Sequence, residues 1–281
     1  MRPPTDLLYR PRGKFSAKRI GIHNSSEVGG FGVFRDSDLF QNYPDARRID
    51  VRATIRDPFQ NTFVRRFEQR SSIELYVIMD TSISMSYEGN ASRFKIAVDL
   101  AYSFAYSSLI IGDKFGLIAN SDREQPQIYL PATRSMGASN RVINELHDLI
   151  PQGVNIHGLK RSINRLSASR KMVVIISDFR WPESDISGFF NSLSSHDIIP
   201  IVLLDSQELK PPKWGLIHVR DSETKKQKIV IMRPHLHERW IAKNAEFKVQ
   251  LIRQASSYAR MPIFITDNFD GDLLSQKLMA I

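Results

Sequence analysis

The chain has 281 residues, a formal charge of +9 and no cysteine, with 42% hydrophobic and 25% charged residues; these are the proportions of an ordinary globular protein long enough to bury a large core. The missing cysteines exclude a disulfide framework, thiolate metal sites and a cysteine nucleophile. The opening Met1-Arg2-Pro3-Pro4-Thr5-Asp6 lacks the apolar core of a secretory signal, and no stretch approaches the roughly 20 apolar residues that span a bilayer, so a cytoplasmic chain without a membrane span is expected.

The first seventy residues carry Gly13, Gly21, Gly29, Gly30 and Gly32 among short alternating runs such as Gly32-Val33-Phe34 and residues 62–68. They predict a small β-rich module at 1–70 ahead of a main domain at 71–281. Arg47, Arg48, Arg52, Arg65 and Arg66 lie there among Asp45, Asp50 and Asp57. That mixture points to local ion pairing and not to a phosphate-binding stripe, so no nucleic acid partner is expected. From residue 72 the pattern turns rhythmic. Residues 73–79 are a short β-branched run ending in Asp80, a buried strand. Residues 93–110 set Phe94, Ala97, Val98, Ala101, Phe104 and Ala105 at helical spacing before Gly112, a helix with a glycine stop. Strands follow at 115–119 and, more weakly, at 127–130. Helices at 140–149 and 159–166 flank a loop forced by Pro151 and Gly153. A strand at 172–176, a helix at 185–193 and a strand at 198–204 continue the alternation, which stops at Asp205; Pro211-Pro212 mark an irregular link. Residues 216–219 and 228–232 flank a polar stretch and suggest a hairpin arm at about 215–233. A helix at about 236–258, a strand at 262–266 and a helix at 273–279 complete the pattern. The fold class is therefore α/β: a doubly wound, mostly parallel sheet covered by helices, with a β-rich N-terminal module and a hairpin insertion.

In such a sheet ligands bind beyond the carboxyl ends of the strands, where the strand order reverses. With the usual order 3-2-1-4-5-6, the first and fourth strands are neighbours there. Asp80 ends the first strand, with Ser82 and Ser84 following at alternate positions, and Ser177-Asp178 follow the fourth. Two carboxylates and two hydroxyls make a hard, all-oxygen set suited to Mg²⁺, then Mn²⁺ or Ca²⁺, and not to zinc or copper. The plainer alternative is that Asp, Ser and Thr after a strand are turn formers and helix caps.

Asp80-Thr81-Ser82-Ile83-Ser84 resembles the metal-ion-dependent adhesion motif of von Willebrand factor A domains. Further motifs, His23-Asn24-Ser25-Ser26, Ile49-Asp50-Val51-Arg52-Ala53-Thr54, Val64-Arg65-Arg66-Phe67-Glu68, Ile175-Ile176-Ser177-Asp178-Phe179 and Arg220-Asp221-Ser222-Glu223-Thr224, resemble in their order a bacterial family, domain of unknown function fifty-eight. Members of that family often accompany MoxR-type AAA+ ATPases and are similar to methanol dehydrogenase accessory proteins. The resemblance implies a von Willebrand factor A or Rossmann-like fold, with Asp80, Ser82 and Ser84 as first-loop metal ligands and Asp178 as the acid of the fourth-strand loop. It departs in the middle loop, where such domains place a threonine. Here the chain reads Gly153-Val154-Asn155-Ile156-His157, so Asn155 or His157 falls at that position, and an amide oxygen suits a hard cation better than imidazole.

The expected function is a non-enzymatic protein-interaction module that binds its partner through an open divalent-metal site. The resemblance makes that partner a MoxR-type AAA+ ATPase or its client, in complex assembly or metalloenzyme maturation. One alternative is a metal-independent scaffold in which the N-terminal module and the hairpin arm do the recognising; a second is a metal-dependent phosphohydrolase. His235 and His237, two residues apart, diverge on a helix and make a poor chelate. No Walker or dinucleotide-type glycine loop and no Gly-x-Ser-x-Gly elbow occur. Asp80 as a phosphoryl-accepting nucleophile would need an acid two residues on, where Ser82 stands.

Overall fold

The computed structural model describes residues 2–13, 20–120, 128–153, 156–220 and 227–280. They form two compact units, Pro11–Ile73 and Met1–Arg10 together with Glu74–Ile281.

In the smaller unit, the antiparallel strands β1 (Ile20–Leu39) and β2 (Phe63–Ser71) pair with several register shifts. The helix α1 (Val51–Arg56) lies between them in sequence. Asp50 caps α1 through the Ala53 N–H and also takes Ser37 and Arg65, so a group of bonds to the ionised form holds its carboxyl below the usual range. The interspersed charges pair locally: Arg48 with Asp45 at 3.0 Å, Arg65 with Asp50 at 3.1 Å and Arg66 with Asp38 at 2.9 Å.

The larger unit runs through β3 (Glu74–Asp80), α2 (Arg93–Ile111), β4 (Lys114–Asn120), β5 (Ile128–Thr133), α3 (Met136–His147), α4 (His157–Ile163), β6 (Met172–Ser177), α5 (Glu183–Ser192), β7 (Asp197–Leu204), α6 (Ser206–Leu209), β8 (Gly215–Arg220), β9 (Gln227–Met232), α7 (Pro234–Ala255), β10 (Ile263–Thr266) and α8 (Gly271–Met279). Six strands form one sheet in the order β5-β4-β3-β6-β7-β10, which is the expected 3-2-1-4-5-6. All neighbours are parallel except β5, which pairs antiparallel to β4. The strands β6 and β7 are buried along their whole length, as their near-continuous apolar runs require of a sheet covered on both faces. One face packs Tyr76, Ile78, Val173, Ile175 and Val202 under side chains of α4, α5 and α7. Leu75, Val77 and Met79 alternate to the other face, where α2 lies against β3, β4 and β7 with α3 beside it.

Most helix boundaries shift by two or three residues from the sequence reading, and two differences have a local cause. The helix α3 begins at Met136, four residues early, because the Ser135 hydroxyl caps it through the Ala138 N–H although its first turn carries no apolar stripe. The four-residue α6 is set by its Asp205 cap and has no periodicity to read. One expectation needs correction: α2 is long and apolar enough to cross a bilayer, because its serines and tyrosines interrupt the apolar run without making it polar. Here α2 is a core helix. Its buried polar positions Asp99, Ser103 and Ser107, four residues apart, accept the backbone N–H groups of Arg2, Thr5 and Leu7 at 3.4, 3.1 and 2.7 Å. The extended N-terminal segment then reaches α8 through the Leu8 N–H to Ser275 Oγ at 3.1 Å.

Candidate functional site

The carboxyl ends of β3 and β6 lie side by side, with Met79 in register with Ile176, so Asp80 and the Ser177-Asp178 pair meet at the point where strand order reverses. Asp80 is fully buried and Asp178 is 1% exposed. Three donors converge on the Asp80 carboxylate: the Ser82 N–H on Oδ1 at 2.8 Å, and the Ser177 hydroxyl and the Trp181 indole N–H on Oδ2 at 2.8 and 3.1 Å. Burial first, and the neighbouring Asp178 carboxylate second, outweigh them and push Asp80 up to about 6.

After Asp80 the chain turns into a 3-10 helix, Ile83–Ser86, which brings the Ser82 and Ser84 hydroxyl oxygens to 3.0 Å of each other. The middle loop is laced to this turn. Ile83 N–H donates to Gly153 O at 2.7 Å, and Gly153 N–H to Thr81 O at 3.4 Å, so residues 82 and 153 form a parallel bridge. Asn155 lies outside the described residues, and His157 opens α4 with an exposed side chain. The outer part of the motif loop is held by Asp205 at the end of β7: its Oδ2 accepts the Asn90 N–H at 2.9 Å, and a Cβ on Gly89 would strike its carboxylate.

The loop after β6 is strained. Phe179 adopts a left-handed backbone with φ 52°, rare for a bulky side chain. Its N–H donates to Ser177 Oγ at 2.9 Å, and its buried ring packs against Trp181 and Phe190. That conformation turns Trp181 back onto Asp80 and leaves Asp178 facing the start of α2.

There the residue that sequence reasoning missed stands. Arg93, 5% exposed, donates to Asp178 Oδ2 at 2.8 Å, to Ser84 O at 3.0 Å and to Glu208 Oε2 at 2.6 Å. Arg180 meets the other Glu208 oxygen at 3.0 Å and Asn244 Oδ1 at 3.0 Å, while the Trp240 indole N–H caps Glu208 O at 2.7 Å. An ionic chain thus runs from the buried Asp178–Arg93 pair through the half-buried Glu208 and Arg180 to Asn244 of α7. A signal for Arg93 existed: a basic side chain in the first helical turn opposes the helix dipole and calls for a partner. Glu208, Arg180 and Asn244 carry no local signal.

The donor set fits a hard cation on one observation and resists it on another. Neighbouring ligands of an octahedral ion held at 2.0–2.1 Å are about 3 Å apart, the spacing of the Ser82 and Ser84 oxygens, which hydrogen-bond to each other here, and among the described residues the ionised Asp80 beside them has no ion-pair partner. Asp178, however, is already matched by Arg93. Among the described residues no group of three or more His, Asp or Glu is placed to hold a metal, so any ion here relies on hydroxyls.

A family described as protein of unknown function DUF58 matches residues 38–250. The chain belongs to this family. Uncharacterized proteins of Mycobacterium bovis and Mycobacterium tuberculosis are 26% identical to this DUF58 protein over 200 residues, which is 67% of its chain and 60% of each relative. It therefore spans less than two thirds of the length of these curated relatives. Among solved structures, the conserved hypothetical protein BatB from Bacteroides thetaiotaomicron matches 74% of the chain with 97% of its own at 15% identity and a TM-score of 0.40. An aerotolerance-related membrane protein from Bacteroides fragilis matches 74% with 98% of its own at 18% identity and 0.42. The strand order makes the larger unit a doubly wound, mostly parallel α/β sheet, the fold class that the sequence implies.

Proposed function

We propose that this DUF58 protein is a non-enzymatic protein-interaction module whose Asp80, Ser82 and Ser84 hold a divalent cation, Mg²⁺ first and Mn²⁺ or Ca²⁺ as substitutes. The observation that carries the reading is the pair of hydroxyl oxygens 3.0 Å apart beside a buried carboxylate that has no ion-pair partner among the described residues. Ser82 and Ser84 act as neutral ligands, Asp80 supplies the charge, and Asp178 adds negative field from the β6 loop. Bound there, the ion offers an open electrophilic position to an acidic side chain of another protein. By family resemblance, that protein is a MoxR-type AAA+ ATPase or its client in the cytoplasm, and the module serves complex assembly or metalloenzyme maturation.

Co-purification of the tagged protein with a purified MoxR-type ATPase, with Mg²⁺ or with EDTA, tests this. Binding that is lost in EDTA and in Asp80→Ala supports it; binding indifferent to both refutes the metal-bridged form. A second reading has its own observation: the Arg93 guanidinium, buried against Asp178, is a fixed cation built into the site. On that reading the module is a metal-independent scaffold, and EDTA changes nothing.

A further inference from the structure

At its base the β8–β9 hairpin is apolar on both sides. Gly215 pairs with Met232 and Ile217 with Val230, and this face turns inward, with Met232 fully buried. Leu216 pairs with Ile231, and Ile229 shares their face by the two-residue repeat of a strand. On this second face the described apolar side chains are exposed: Leu216, Ile229 and Ile231 by 69, 61 and 59%, and Trp214, just ahead of β8, by 68%. Antiparallel strands with a solvent face ordinarily turn polar side chains outward. A contiguous apolar patch of this kind, on the order of 500 Å², marks an interaction surface.

Its surroundings narrow the occupant. Residues 210–233 include seven Lys or Arg and two acidic residues, and Lys210, Lys213 and Arg233 are exposed at the hairpin base. A second copy of a chain carrying +9 would bring one basic arm against another, which costs Coulomb energy. A bilayer would satisfy the charge when anionic, but among the described residues β8 and β9 pair only with each other. Their outer edges would then leave unpaired backbone groups in hydrocarbon. An added protein strand satisfies those edges and covers the patch.

We infer that the β8–β9 hairpin is a docking arm for an acidic, extended protein segment, which pairs along a free strand edge, extends the apolar face of Leu216, Ile229 and Ile231, and sets its carboxylates against the flanking lysines and arginines. No cation takes part, so this arm and the Asp80 site are separable.

The test uses a fluorescein-labelled peptide of alternating valine and glutamate, its valine–lysine counterpart of equal length, and phosphatidylserine–phosphatidylcholine vesicles, all in EDTA. The glutamate peptide is expected to bind in preference to the lysine peptide, about tenfold more weakly to Leu216→Ser or Ile231→Ser, and unchanged by Asp80→Ala. Both substituted side chains are exposed, so an unchanged melting temperature certifies the fold of each variant. Equal binding of the two peptides overturns the inference. So does binding to vesicles without binding to the glutamate peptide, or a dimer in sedimentation that the same two substitutions dissolve.

Discussion

Replacing Arg93 by methionine keeps most of the aliphatic stem and removes the charge that the β6 loop faces. Arg93 and Asp178 are 5% and 1% exposed and 2.8 Å apart, so the variant leaves a buried carboxylate whose remaining partner among the described residues is the Arg180 N–H. Breaking a pair of this kind from one side costs about 3–5 kcal/mol. For a domain of roughly 200 residues this lowers the melting temperature by about 6–20 °C. Glu208 suffers less because Arg180 still meets it. Removing the stranded charge as well should return much of the loss, so Arg93→Met with Asp178→Asn is expected to be more stable than Arg93→Met alone, with a coupling of about 2 kcal/mol or more. Urea denaturation of the four proteins at pH 7.5 in EDTA reads the cycle. A cost below about 1 kcal/mol for Arg93→Met, or strict additivity with Asp178→Asn, would refute the argument.

The Asp80 carboxyl, raised to about 6, releases its proton later in the folded than in the unfolded chain. The stability it contributes is full below about pH 4 and is lost as pH rises through 6, a change of about 3 kcal/mol. Denaturation in EDTA at pH 5 and pH 7.5 should show the upper half of that fall, about 1.4 kcal/mol, in the wild type and not in Asp80→Asn. Ser107→Ala strips the acceptor from the buried Leu7 N–H and should cost about 1–3 kcal/mol, with faster protease cleavage of the first ten residues as the second readout. Gly89→Ala drives a methyl into the Asp205 carboxylate and should loosen the motif loop, seen as faster amide exchange at Asn90 with little change at β6.

The sheet was legible because each central strand is a β-branched run of buried-strand length, and the residue ending it, Asp80 or Asp178, is visible as the first acid after the run. The glycine stop at Gly112, φ 90°, was equally plain. What escaped was set by partners distant in sequence. The first turn of α3 and the whole of α6 depend on single capping side chains, Ser135 and Asp205. The apolarity of α2 was masked by serines that turn out to receive the N-terminal backbone. Above all, proximity of Asp80 and Asp178 followed from strand order, whereas the guanidinium between Asp178 and Glu208 follows from how α2 and α6 meet, which periodicity does not encode.

Calorimetric titration with Mn²⁺ or Mg²⁺ addresses the site most directly. One saturable event per chain in the wild type, absent from Asp80→Asn and weakened in Ser84→Ala, is the predicted result. No saturable heat in the wild type, or identical heats in all three proteins, would contradict a cation held by Asp80, Ser82 and Ser84.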